Sequence, residues 1–201
     1  MLLRDTAELY KGLSNIPITL AALFFGLMLM KRTSAHTEGC RVFMLSAGAS
    51  VMGVILHCFR IKSPVFEILW IILYILLYED ARLFTELILK TAGEDKPFCG
   101  FKSLIPEIVL LLASAIWVFS DPEGDIIPLT VFAFLCIIRI AAGFIKNRTL
   151  PRPVLIMLCV LLAAILALAL KNILPGAIVI CHFLLAAVLY LLYCIAAAAE
   201  G

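Results

Sequence analysis

Seven apolar runs, each near the length of a membrane-crossing helix, constrain this chain more than any other feature. A bilayer core about 30 Å thick takes about 20 residues of helix at a rise of about 1.5 Å each. The runs extend approximately over residues 15–30, 41–59, 64–89, 104–119, 126–145, 154–170 and 175–199. The segments between them are short and rich in helix breakers: SDPEGD at 120–125, KNRTLPRP at 146–153, and TAGEDKPFCG at 91–100, the longest. Of 201 residues, 64% are hydrophobic and 15% charged, against roughly 45–50% and 25% in soluble domains. Such a chain cannot clothe itself in polar surface, and a water-soluble globule is excluded. The expected fold class is all-α, a polytopic membrane protein folded as one seven-transmembrane-helix bundle over residues 1–201. The first run is followed by Lys31 and Arg32 rather than a small-residue cleavage site, so it reads as the first span and not as a signal peptide.

Charge is informative only by position. A net charge of +2 supplies no basic field for nucleic acid, which leaves membrane lipid as the expected partner. Short cytoplasmic loops collect Lys and Arg. The side holding the first, third and fifth connections carries Lys31, Arg32, Arg41, Lys90, Lys96, Lys102, Lys146, Arg148 and Arg152. The other side carries Arg4, Lys11, Arg60, Lys62 and Lys171. This asymmetry places the N-terminus outside or in the lumen and the C-terminus in the cytoplasm. The seven cysteines contain no CxxC pair, so neither a disulfide framework nor a zinc finger is implied.

An ionisable group deep in a membrane costs about 2.5–3.5 kcal/mol on insertion scales, so each requires a partner, a water-filled cavity or a function. With this topology, His57 ends the second span, Glu67 opens the third and His182 sits early in the seventh, all toward the extracytoplasmic side. Glu8, Ser14 and Asn15 precede or open the first span on that side and are candidates for a substrate pocket. Two imidazoles and a carboxylate can supply zinc donors. Each residue also has an ordinary reading: a membrane histidine can simply hydrogen-bond a neighbour, Glu67 can be a first-turn acid after Pro64, and Glu8 can belong to a solvated turn. On the cytoplasmic side, Glu79, Arg82 and Glu86 recur at helical spacing. Arg139 lies well inside the fifth span, at a depth that Asp80 or Glu79 reaches on the third, and a structural ion pair is expected there.

AELYKGLSN at 7–15 resembles the start of the alkaline ceramidases, where an A-E-aromatic-aromatic-N-T-x-S-N stretch leads into the first of seven helices. GVILHCF at 53–59 is similar to the segment of that superfamily with a zinc-binding histidine at the end of its second helix. CHFLLAAVLYLLY at 181–193 is similar to its last helix, which begins with histidines. The superfamily includes the progestin and adipoQ receptors and groups proteins proposed to be metal-dependent membrane hydrolases. The resemblance implies seven helices with the N-terminus outside, Zn2+ held by His57 and His182, and Glu67 as a third ligand or as the catalytic base. It also has departures: Gly53 where the family has serine, Ile178 where it has histidine, Lys11 where it has asparagine, and Glu67 in place of an aspartate one position away.

Three functions therefore stand as expectations. The first is metal-dependent hydrolysis of a lipid amide or ester. The second is a non-catalytic lipid-binding or receptor-like role. The third is a small transporter using Asp80 and Arg139, which the apparent lack of inverted repeats and interrupted helices disfavours.

Overall fold

The computed structural model describes residues 5–32, 38–91, 93, 101–120, 127–147, 151–171, 173–174 and 176–199. Most of the connection at 91–100, residues 121–125 of SDPEGD and the expected start of the last span at Pro175 lie outside the described residues. Eight helices occur among those described: α1 (Thr6–Leu13), α2 (Ile16–Arg32), α3 (Glu38–Cys58), α4 (Val65–Thr91), α5 (Phe101–Ser120), α6 (Ile127–Asn147), α7 (Arg152–Ala169) and α8 (Ala177–Ala199). No strand is found among the described residues.

Helices α2 to α8 overlap the seven apolar runs, each extending to within a few residues of the expected bounds. Five stretches are long and apolar enough to cross a membrane: Thr6–Arg32, Glu38–Cys58, Pro128–Lys146, Arg152–Ala169 and Ala177–Ala198. This is the make-up of a multi-pass integral membrane protein. The charged α4 is not among the five, and α5 contributes the shorter apolar helix Ile108–Phe119. α5 also begins earlier than expected, which leaves Pro106 inside the helix rather than at its entry.

The largest departure is at the start. Residues expected to precede the first span form α1, capped by Asp5, whose carboxylate accepts from the Glu8 backbone N–H at 3.0 Å. α1 and α2 together make the stretch Thr6–Arg32, interrupted only at Ser14 and Asn15. The cause is local. Pro17 has no N–H to offer the Leu13 carbonyl four residues back, and its ring crowds that turn. Asn15 N–H instead reaches the Gly12 carbonyl, three residues back, at 3.0 Å. The first span therefore does contain an interrupted helix, contrary to the expectation from the sequence.

The chain divides into two compact units. One comprises Met1–Arg60 with Pro151–Gly201, the other Ile61–Leu150. In the first, α2 packs on α3 and α8, α1 on α3, and α7 on α8. Small buried residues on α3, including Ser46, Ala49, Ser50 and Gly53, admit close neighbours, as expected where helices associate in lipid. Thr19 Oγ1 and Ser50 Oγ, 2.7 Å apart, join α2 to α3. Phe25 stacks on Tyr193 at a centroid separation of 5.2 Å, joining α2 to α8.

The second unit packs α4, α5 and α6 against one another. Buried Tyr78 on α4 reaches Ser114 Oγ on α5 at 3.1 Å and sets its ring 4.9 Å from that of Phe132 on α6. Arg82 grips both carboxylate oxygens of Glu79, at 2.8 and 2.6 Å, and reaches Glu86 at 2.5 Å. Glu79 is thus committed within α4, and Asp80 becomes the carboxylate expected to meet Arg139 across the packing of α4 on α6. Arg139→Leu and Asp80→Leu should each lower the unfolding temperature in detergent, and the double variant should lose less than their sum. Full stability of Arg139→Leu would remove the pair.

Candidate functional site

The polar residues of the first unit gather where α1, the break after it, the end of α3 and the start of α8 come together. Of the eight residues of α1, only Glu8 and Gly12 are buried, one turn apart on the same face. That face lies on the C-terminal end of α3. A Cβ at Gly12 would collide with Cys58 Sγ and would stand 3.2 Å from His57 Cβ, so α1 can approach only because position 12 has no side chain.

This close approach brings Glu8 Oε2 to 2.8 Å from His57 Nδ1. The other oxygen, Oε1, takes the ammonium of Lys11, one turn along α1. The carboxylate thus has a cation on one side and an imidazole N–H on the other. Its side chain is 12% exposed and that of His57 16%, so both groups are largely withdrawn from water and the contact between them carries part of their polar satisfaction.

The break supplies the second contact. Ser14 and Asn15, both buried, occupy the two positions between α1 and α2. Ser14 Oγ lies 2.6 Å from His182 Nδ1 in the second turn of α8, and it also donates to the Lys11 carbonyl at 2.7 Å. Asn15 Nδ2 donates to the same carbonyl at 3.1 Å. A Cβ on Gly53 would meet three atoms of the Asn15 amide at 3.1 Å. The Asn15 side chain therefore fills the space that a serine at position 53 would require, which gives a physical reason for glycine there.

The sequence-derived candidates separate accordingly. Glu8, Ser14, Asn15, His57 and His182 converge in the first unit. Glu67 lies in the first turn of α4, in the second unit, where its Oε2 is buried and has no hydrogen-bond partner among the described residues. The carboxylate that meets His57 is Glu8, and the solvated-turn reading of Glu8 is corrected by its burial. Lys11, whose ammonium and carbonyl both belong to the cluster, was not a candidate. Its one-turn spacing from Glu8 was the available signal.

The zinc expectation requires at least a third donor beside the two imidazoles. Among the described residues, no group of three or more His, Cys, Asp or Glu is placed to hold a metal ion. The positions where the resemblance leads one to expect further polar partners are Gly53 and Ile178. As arranged, these side chains do not fit the metal. They make a hydrogen-bonding cluster of one carboxylate, one hydroxyl, one amide and two imidazoles. In comparisons with known proteins, the chain matches no family model, no curated protein and no solved structure.

Proposed function

We propose that the protein is a seven-span integral membrane protein, similar in layout to the alkaline ceramidase and adipoQ-receptor superfamily, that binds the polar head of a membrane lipid at the Glu8–Ser14–His57–His182 cluster. The observation that carries this reading is the pair of contacts at 2.8 and 2.6 Å, which gather four polar side chains from α1, the break after it, α3 and α8 in a unit built mostly of apolar helices. Polar and ionisable groups so placed are costly in a membrane and mark sites where polar ligands or ions are handled. The distribution of basic residues supports an N-terminus outside and a C-terminus inside. A membrane-impermeant thiol reagent reaching the 91–100 connection from outside intact cells would reverse that orientation.

The binding test is thermal. The purified protein in detergent should show a saturable rise in unfolding temperature with a short-chain N-acyl amino alcohol or a short-chain diacylglycerol. Ligand at about 100 times its dissociation constant stabilises by about 2.7 kcal/mol. His182→Ala should abolish the rise. An equal rise in that variant, or no saturable rise with either lipid, refutes the site. Release of free fatty acid during the incubation would instead favour the hydrolase reading, in which His57 and His182 hold Zn2+ and Glu67 serves as base. The unmet need for a third donor in the first unit places that reading second.

A further inference from the structure

We propose that the break between α1 and α2 fixes the tautomer of His182, with Ser14 as the positioning residue, so that Nε2 is the proton-accepting atom His182 presents to a bound polar group. The argument is a count of protons. Ser14 Oγ makes two short contacts, 2.7 Å to the Lys11 carbonyl and 2.6 Å to His182 Nδ1. A hydroxyl has one hydrogen, a carbonyl has none, and a neutral imidazole carries its hydrogen on one nitrogen only. The contact to Lys11 O therefore uses the serine proton. The proton in the second contact must come from His182, which places it on Nδ1 and leaves the lone pair on Nε2.

The first cause lies in the backbone. In an uninterrupted helix, the Lys11 carbonyl would accept from the Asn15 N–H. Here that N–H goes to Gly12 O, and the Lys11 carbonyl is satisfied by two side chains, Ser14 Oγ and Asn15 Nδ2. Pro17 sets the break, the break releases the carbonyl, the carbonyl orients the hydroxyl, and the hydroxyl selects the tautomer. The selected form is the one histidine disfavours in water, where Nε2–H predominates, so the choice has an observable signature. On His57 the Glu8 carboxylate acts in the same sense: it holds no proton to give while it accepts the Lys11 ammonium, so Nδ1–H is again the donor. The Nε2 acceptor of His182, held by such an outer hydrogen bond, suits a hydrogen-bond-donating group. That ligand-facing role rests on the lipid-binding reading above, whereas the tautomer does not.

The experiment is nitrogen NMR on the full-length protein labelled with 15N-histidine. The chain has only three histidines, and His182→Gln assigns the signals of interest. Wild type should show a pyrrole-type Nδ1 and a pyridine-type Nε2 for His182. Ser14→Thr, which keeps the hydroxyl, should retain that pattern, and Ser14→Ala should shift the population to Nε2–H. An Nε2–H tautomer in wild type, or a Ser14→Ala spectrum identical to wild type, overturns the proposal. If Ser14→Ala does not fold, the wild-type tautomer decides alone. Addition of the short-chain N-acyl amino alcohol should then move the Nε2 resonance with Nδ1 unchanged. A ligand-induced temperature rise without any Nε2 shift overturns the ligand-facing role, and the absence of both with the Nδ1–H tautomer present overturns the lipid-binding reading alone.

Discussion

Glu8→Leu is expected to destabilise the protein by about 1–3 kcal/mol, the range for leaving a buried hydrogen-bonding group without the partner it faces. The effect is large because the His57 side chain is only 16% exposed and faces the carboxylate at 2.8 Å, so water can replace little of the lost contact. Lys11 loses its partner at the same time, but that ammonium is 40% exposed and can turn to solvent, so it adds little. His57→Leu is expected to cost less than Glu8→Leu, because Glu8 then keeps Lys11. The double variant should lose less than the sum of the two, with a coupling of about 0.5–3 kcal/mol. Chemical denaturation of the four proteins in one detergent measures this cycle. Additivity within about 0.5 kcal/mol would show that the two side chains do not depend on each other.

Gly12→Ala should be nearly as damaging, although it adds a single methyl group. The new Cβ would overlap Cys58 Sγ and stand 3.2 Å from both the Cys58 backbone nitrogen and His57 Cβ. Overpacking of this kind costs about 1–3 kcal/mol. The backbone of α3 cannot yield as the end of a flexible side chain would, so α1 must move away and lengthen the contact between Glu8 and His57. Cys58→Ala in the same chain removes the worst overlap and should restore part of the loss, since the two contacts at 3.2 Å remain. The readouts are the unfolding temperature and the histidine NMR spectrum, which reports whether His57 Nδ1 keeps its partner. An unchanged unfolding temperature for Gly12→Ala would mean that α1 does not lie against α3 at this distance.

These two expectations show how differently the parts of the site could be read from the chain. His57, His182 and Ser14 are conspicuous because polar residues are scarce in an apolar sequence, and each was a candidate on that ground. Glu8 was one as well, but its position before the first apolar run also suited a solvated turn. Only the packing of α1 on α3, made possible at Gly12, turns it into the partner of His57. Glu67 illustrates the converse: its place at the outer start of the third span, on the side of His57 and His182, suggested the carboxylate of the histidine site, yet the acid that meets His57 comes from α1. Gly53 read as a missing polar group, and the structure shows the Asn15 amide lying against it.

What the sequence determined by itself is the helical, membrane-crossing character of the chain and the scarcity of its polar residues. Both follow from rules that act locally: an apolar run in hydrocarbon must close its own backbone hydrogen bonds, and a charge there is expensive wherever it sits. The pairing of those polar residues was decided only by the tertiary structure. Glu8 and His57 are 49 positions apart, Ser14 and His182 are 168 apart, and neither separation carries a signal in the chain. Consecutive helical residues point about 100° apart. The rotation of α8, the approach of α1 at Gly12 and the break after Leu13 therefore determine which side chains meet, and each of these depends on surfaces contributed by other helices.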